Sequence, residues 1–365
     1  MSRLLPVLVV GALLPLAAGA QTYDVETLQS SGPSERRIDL VLLGDGYRAT
    51  EQQKMHDDAV ALVNNLFGLT PFKEYRSLFN VRVIHAISVD NGADNGSYGA
   101  TRNTALGAAY NCNNIDRLLC VDMDVVKIVA AQHTPAYDQL VVIVNDPKYG
   151  GSGGEVAAVS LATSAGEILR HELGHSLARL ADEYSDPYPG YPACTGNGQS
   201  DCPEANATVK NTRATVKWKD WIESTTSVPT TSTGSAQAIG AYEGCRYKTT
   251  GVYRPKDGTC LMKVLGQPYC SVCAEAMVRT FYNLASPVDT FSPSRSQTDV
   301  TTCGPVTFSV TTPMPGTFSF LWTVDGTPRS GDNRLTLAAS ELTQGQHTVS
   351  VTVSDTTALV RSDPQ

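Results

Sequence analysis

Two histidines four residues apart, with a glutamate directly after the first, constrain this chain more than any other feature. They are His171, Glu172 and His175, in a stretch whose apolar residues recur at helical spacing and predict a helix over about 164–180. On a helix the two histidines differ by about 40° in azimuth and about 6 Å in rise, so both imidazoles can reach one metal ion. This pattern predicts a zinc site with a zinc-bound water, for which Glu172 is the general base.

The sequence determines the third zinc ligand less clearly than the two histidines. Catalytic zinc usually has three protein ligands and one open position. Asp182 shares the azimuth of the histidines, but it would lie about 13.5 Å along the axis of a continuous helix. Asp182 can therefore bind only if the helix ends near 178–180, where no residue is an obvious helix breaker, and the chain turns back. Glu167 on the same helix, or a more distant glutamate, is the alternative.

The first 20 residues have the pattern of a secretory signal peptide. Arg3 is the sole charged residue among them, an apolar run follows over 4–18, and residues 18–20 are small. A membrane anchor is the alternative, but the run is about 15 residues, short of the roughly 20 that span a bilayer. We therefore expect a secreted chain, extracellular or periplasmic, that begins near Gln21 and has no membrane span.

Export permits disulfides, and the chain has 9 cysteines. Two pairs are close enough in sequence to form local bridges, Cys112–Cys120 and Cys194–Cys202. Four others allow three connectivities, and bridges are expected among them: Cys245, Cys260, Cys270 and Cys273. The alternative for these four is a zinc site, because two of them form a C-x-x-C pair. Cys303 is left unpaired.

The order of predicted elements indicates a mixed α/β sheet. Strands are expected at 38–44, 80–89, 138–145 and 156–161, and helices at 51–66, 115–132, 164–180 and 274–284. Capping boxes are expected at Thr50 with Gln53 and at Ser164 with Glu167. The 28 Lys and Arg against 36 Asp and Glu give a net charge of −8, which excludes a general nucleic-acid binder.

The C-terminal residues differ from the rest of the chain. Residues 288–365 show no helical pattern, and alternating runs at 306–311, 317–324 and 347–353 predict strands. Trp322 lies inside one run, as a core tryptophan does in immunoglobulin-like sandwiches. We expect three parts: a signal peptide over 1–20, a catalytic unit in two lobes over 21–287, and a small all-β immunoglobulin-like sandwich over 288–365.

Several separated blocks cover roughly residues 38–285. They lie at 43–47, 71–75, 79–81, 149–154, 171–184, 251–255, 260–262 and 270–273. Together these blocks resemble the immunoglobulin-A peptidase family of secreted zinc metalloendopeptidases, which are metzincin-like. The resemblance implies an α/β (α+β) metzincin-like zinc peptidase domain.

The same resemblance implies site residues. The pattern His-Glu-x-x-His-x6-Asp-Glu-Tyr implies Glu172 as general base and, as zinc ligands, His171, His175 and Asp182. Met262 is then the methionine of a turn that lies beneath the metal, although ordinary core packing is its alternative. Relatives often have glycine where the helix must end, whereas Ala178 and Arg179 stand here.

Two further features are candidates for the chemistry. A second hydrogen-bond donor can stabilise the oxyanion of proteolysis, and Tyr253 is the candidate within the block that also holds Tyr247 and Arg254. The glycine-rich residues 149–154 follow a strand and are either a loop that borders a substrate cleft or a flexible turn.

The sequence therefore predicts a secreted zinc metalloendopeptidase with one catalytic Zn2+ and a protein or peptide substrate. The β domain is expected to position the enzyme on a protein, glycan or surface. One alternative is an inactive binding or adhesion protein with a structural metal site. Another is a hydrolase of cell-wall peptides, because loops such as 185–245 carry no readable specificity.

Overall fold

The structure is a computed structural model that describes residues 22–95, 101–196, 198–233, 238–294, 304–314 and 317–361. The predicted signal peptide and Cys303 lie outside these residues. Within the described ranges, every helix is too short or too polar to traverse a lipid bilayer.

A six-stranded sheet organises the N-terminal part of the chain. Its strands are β1 (Val25–Gln29), β2 (Ile38–Asp45), β3 (Phe79–Ile84), β4 (Gln139–Val144), β5 (Gly151–Ser152) and β6 (Val156–Ser160). Their order is β1-β3-β2-β4-β6-β5, with β2, β3, β4 and β6 parallel and the two edge strands antiparallel. The predicted mixed α/β sheet is confirmed, although β1 and β5 were not predicted.

Helices cover both faces of this sheet. They are α1 (Gln52–Leu66), α2 (Met123–His133), α3 (Ala165–Ser176) and α4 (Ser271–Leu284). Side chains of α1, α3 and α4 share an apolar core with Leu40 and Leu42 of β2. Those of α2 share a second core with Val41 and Leu43, because successive strand residues point to opposite faces. The sheet is therefore the middle of three layers.

The sequence predicted that the second helix begins near residue 115, but α2 begins at Met123. The Asp122 carboxylate caps it, accepting hydrogen bonds from two backbone N–H groups of the first turn, each at 3.1 Å. The Cys112–Cys120 disulfide holds the preceding residues in a loop. An N-cap so close to the disulfide leaves no room for an earlier helical turn.

The two predicted capping boxes do not form. α1 follows a short 3-10 turn, and Glu51 accepts a hydrogen bond from the N–H of Arg48 at 3.0 Å, the role predicted for Gln53. Ser164 does occupy the N-cap position of α3, but its side chain makes no capping hydrogen bond.

The chain reverses directly after α3. The N–H of Arg179 donates to the carbonyl oxygen of His175 at 3.0 Å, and that of Leu180 donates to Gly174 at 2.8 Å. Arg179 adopts a φ of 52°, in the left-handed region. With Arg179 as the left-handed residue, its bond to His175 is that of an αL cap, where glycine is the common residue, and the bond from Leu180 to Gly174 turns the chain further back. The reversal required for Asp182 to approach the histidines therefore exists, with arginine at the strained position.

A hairpin and two small sheets complete the fold. The hairpin consists of β7 (Tyr242–Cys245) and β8 (Lys248–Arg254), in a segment for which no strand was predicted. The C-terminal strands are β9 (Thr290–Ser292), β10 (Val306–Thr311), β11 (Phe318–Val324), β12 (Thr327–Arg329), β13 (Arg334–Leu337) and β14 (Val349–Asp355). They form the sheets β13-β10-β9 and β12-β11-β14.

The two small sheets share one apolar cluster. Trp322 is buried in it beside Val310 and Leu335. The three strands that the sequence predicted here lie close to their predicted positions, and the immunoglobulin-like topology stays a prediction. The Asp355 carboxylate accepts hydrogen bonds from the hydroxyl groups of Tyr75 and Tyr282, which ties β14 to the N-terminal part.

The cysteines follow the prediction only in part. The local disulfides Cys112–Cys120 and Cys194–Cys202 are present. The bridges expected among the other four do not form, since these cysteines are buried and free of disulfides within the described part of the chain. The Sγ atoms of Cys260 and Cys273 lie 3.7 Å apart, far beyond the bond of about 2.05 Å in a disulfide. Cys245 is not part of the group that Cys260, Cys270 and Cys273 form, and its thiol lies 3.6 Å from the Asp182 carbonyl oxygen.

The left-handed arginine leads to a stability prediction. The free energy of unfolding of an Arg179→Gly variant should be about 1 kcal/mol higher than that of the wild type, because glycine adopts positive φ without a Cβ clash. Arg179→Ala is the matched control, since it removes the same side chain but keeps Cβ. Urea unfolding followed by circular dichroism measures both variants. Equal stability of the two would show that the cap is not strained.

Candidate active site

The structure brings His171, His175 and Asp182 to one point. Nε2 of His171 lies 3.2 Å from Nε2 of His175 and 3.2 Å from Oδ1 of Asp182. Nε2 of His175 lies 3.4 Å from the same oxygen. Ligands at about 2.0–2.1 Å from a tetrahedral zinc ion lie about 3.4 Å from one another. These donor atoms and their spacing therefore fit a zinc ion, and the residues are those predicted to bind it.

Backbone carbonyl groups orient both imidazoles. Nδ1 of His171 lies 3.0 Å from the carbonyl oxygen of Leu261, and Nδ1 of His175 lies 2.7 Å from that of Leu180. A carbonyl oxygen only accepts hydrogen bonds, so each Nδ1 carries a proton and donates it. Each Nε2 consequently faces the cluster, as in metal sites whose histidines are oriented by a second hydrogen bond.

The cluster is also charged and partly buried. Burial opposes ionisation of Asp182, but the neighbouring His175 and His171 outweigh it and lower the pKa of the carboxyl. Burial likewise opposes protonation of His175, yet Asp182 outweighs it and raises the pKa of that histidine to about 9. A proton on His175 thus balances the carboxylate, and a metal cation at the same point would replace that proton.

The turn between β7 and β8 holds Asp182 in place. The N–H of Arg246 donates to the Asp182 carbonyl oxygen at 3.0 Å, and the hydroxyl of Tyr247 donates to its carboxylate at 2.8 Å. Arg246 and Tyr247 are the central residues of this turn, with φ values of 53° and 56°. Positive φ at both positions is the geometry of a type I′ turn, for which asparagine and glycine are preferred. The strained backbone of this turn therefore places the Tyr247 hydroxyl against the Asp182 carboxylate.

Tyr253, the tyrosine predicted to stabilise a transition state, occupies a different environment. It lies in β8, its ring belongs to the apolar core, and its backbone pairs with Thr208. Its proposed role stays a prediction. Tyr247 instead donates a hydrogen bond to the cluster, and the ring of Tyr184 stacks on His171. For Tyr247 the sequence offered only proximity to Tyr253. Neither arginine nor tyrosine prefers positive φ, so no local pattern reveals the turn.

Met262 lies beneath the helix that carries the histidines. Its side chain is fully buried, and a Cβ added to Gly174 would lie 2.6 Å from its sulfur atom. The Met262 carbonyl oxygen accepts the N–H of Glu183 at 2.9 Å, next to Asp182. This position agrees with the floor that the family resemblance implies for the methionine.

Glu172 lies against the glycine-rich loop. Its side chain is buried, and a Cβ would lie 3.1 Å from Oε1 if added to Gly151 and 3.0 Å from Oε2 if added to Gly153. Glycine at these positions therefore leaves room for the carboxylate. Burial raises the pKa of Glu172, and the charges of His171 and His175 offset this only in part. The loop at 149–154 borders the site through these contacts.

The alternative third ligands do not join the cluster. Glu167 lies in the first turn of α3 and is absent from the described groups that meet at the histidines. Glu183 instead meets a second group of side chains, formed by Cys260, Cys270 and Cys273. Asp182 is the acidic residue that the chain reversal places beside the two imidazoles.

Comparison with known proteins gives the family. No curated protein matches the chain. The model of the IgA peptidase M64 family matches residues 26–236 and 231–281, which include every residue of the candidate site. The match covers well over half of the 365 residues. The chain therefore belongs to the IgA peptidase M64 family and is a protease.

Proposed function

We propose that the chain is a zinc-dependent endopeptidase with Glu172 as general base and the metal held by His171, His175 and Asp182. The spacing of the three donor atoms, 3.2–3.4 Å, is the observation that carries this proposal. Structural zinc sites usually take four protein ligands, whereas three ligands leave a position for water or substrate. Glu172 follows His171 on the same helix, so a base accompanies that open position.

A zinc ion held by His171, His175 and Asp182 would supply a Lewis acid for the scissile carbonyl and would lower the pKa of water to about 7. Glu172 accepts the proton of the attacking water and delivers it to the leaving amine. Because burial raises its pKa, Glu172 is a stronger base than an exposed carboxylate. Gly151 and Gly153 leave room for this carboxylate beside the loop, because a Cβ at either position would crowd it.

The edge strand β5 suggests how a substrate is held. Extended peptides commonly bind by adding a strand to a sheet edge. The N–H of Gly151 already donates to the Arg117 carbonyl oxygen at 3.4 Å. The outer edge of β5 is therefore already paired at its first residue. We therefore expect the substrate backbone to pair with residues 152–154, next to Glu172.

The compartment and the β domain belong to the same proposal. The two disulfides agree with a protein that acts outside the cell. Secretion with removal of residues 1–20 and positioning of the enzyme by residues 288–365 are predictions that the sequence alone supports.

Replacement of the base tests the mechanism. Glu172→Ala should lower cleavage of a peptide library by at least about 100-fold, because a general base contributes that much to the rate. Zinc content, measured by elemental analysis, should stay unchanged. Glu167→Ala is the matched control on the same helix and should keep both activity and zinc. Retained turnover in Glu172→Ala contradicts the mechanism, and a zinc-loaded wild type that cleaves nothing favours the binding-protein alternative.

Tyr247 is predicted to be a positioning residue. Tyr247→Phe removes the 2.8 Å hydrogen bond to Asp182 and keeps the ring. Loss of such a contact to a metal ligand should weaken zinc binding by about 10–100-fold. Tyr188→Phe is the control, because its ring packs beside Tyr247 at a centroid distance of 5.9 Å. Competition with a zinc chelator measures the zinc affinity of both variants. Equal affinities would show that Tyr247 does not help to position Asp182 for zinc binding.

A further inference from the structure

The geometry points to a second metal site, in which Glu183, Cys260, Cys270 and Cys273 bind a structural zinc ion. One donor atom from each of these residues lies within 4.8 Å of all the others. All four side chains are buried. The site is separate from the proposed active site and does not depend on its chemistry.

The spacing of the donor atoms fits zinc and not a disulfide. The Sγ atoms of Cys260 and Cys273 lie 3.7 Å apart, and Sγ of Cys273 lies 3.4 Å from Oε1 of Glu183. With Zn–S bonds of about 2.3 Å and Zn–O bonds of about 2.0–2.2 Å, a tetrahedral ion separates two sulfurs by about 3.8 Å and a sulfur from an oxygen by about 3.5 Å. Three thiols also cannot all be paired in disulfides within one group.

An unpartnered carboxylate oxygen is the independent sign of a missing cation. Glu183 is fully buried, and its Oε2 atom has no hydrogen-bond partner among the residues that the structure describes. Oε1 accepts hydrogen bonds from the side-chain amide of Asn206 at 3.1 Å and from the Cys273 thiol at 3.4 Å, and both of these partners are uncharged groups. Burying such a group is costly unless it is paired or coordinates a metal. Three sulfur donors favour zinc over magnesium or calcium.

The local structure prepares these cysteines for a metal. Cys270 is the N-cap residue of α4, and Cys273 lies in the first turn. The positive end of the helix dipole favours thiolates at this position. The N–H of Cys270 also donates to Sγ of Cys260 at 3.4 Å. Four protein ligands fill a tetrahedral shell, which is typical of a structural site.

This second ion would join three segments that support the proposed active site. Glu183 follows Asp182 in the chain, and Cys260 directly precedes Leu261, whose carbonyl oxygen orients His171 at 3.0 Å. Cys270 and Cys273 attach both segments to α4. Zinc at the cysteine site therefore holds the backbone on both sides of the first metal position.

Zinc counting in four full-length proteins tests this inference. Wild type, His175→Ala, Cys273→Ser and Cys245→Ser are purified with zinc, dialysed and measured by elemental analysis. We expect about two zinc ions per chain in wild type and Cys245→Ser, and about one in each of the others. Cys245 is the matched control because it is also free and buried but lies outside the four-ligand group.

The outcomes separate the two sites. A single zinc ion that persists in Cys273→Ser and is lost in His175→Ala would overturn the cysteine site and leave the proposed active site intact. A single ion with the opposite behaviour would support the cysteine site and contradict the active site.

X-ray absorption at the zinc edge gives a reading that does not require Cys273→Ser to fold. In the His175→Ala protein we expect mainly sulfur neighbours at about 2.3 Å from zinc. Nitrogen and oxygen neighbours alone, together with the mass of a disulfide between Cys260 and Cys273, would overturn the inference.

Discussion

The chain reversal after α3 is the constraint on which the candidate site depends. Helical spacing alone brings His171 and His175 to one side, but it carries Asp182 away along the axis. The hydrogen bond from Leu180 to Gly174, with Arg179 at positive φ, ends the helix and returns the chain. Leu180 then also accepts the hydrogen bond from His175, so one turn both delivers the third ligand and orients the second.

Contacts from distant parts of the sequence keep this reversal in register. The β7–β8 turn binds Asp182 through Arg246 and Tyr247. The segment at 260–262 orients His171 and places a methionine beneath α3. The proposed cysteine site would connect that segment to α4. In this arrangement the two metal positions are mechanically related, because neighbouring residues of the same two segments supply ligands or orienting groups to both.

The parts of the molecule that the sequence predicted well depend on local periodicity. Strands β2 and β4 each contain a continuous apolar run, at 40–43 and 140–144, because helices cover both faces of the sheet. The four-residue spacing of His171 and His175 corresponds to about one helical turn, so their position on one side of a helix was predictable. The start of α2 was missed because one carboxylate at Asp122 decides it, against a longer stretch of helix-compatible residues.

What the sequence could not predict depends on long-range contacts or unusual backbone. Arg179, Arg246 and Tyr247 adopt positive φ although none is a residue type that favours it. The role of Tyr247 follows only from the folded turn. Likewise, counting cysteines favoured bridges, because no pattern shows that Glu183 lies among three of them.

Anomalous diffraction at the zinc edge from crystals of the zinc-loaded protein tests the central claim most directly. The proposed site predicts a peak about 2.0–2.1 Å from Nε2 of both His171 and His175, with Asp182 as the third protein ligand. A zinc-saturated crystal without a peak at that point, or with a peak that Asp182 does not contact, would contradict the claim that the reversal after α3 builds a catalytic metal site.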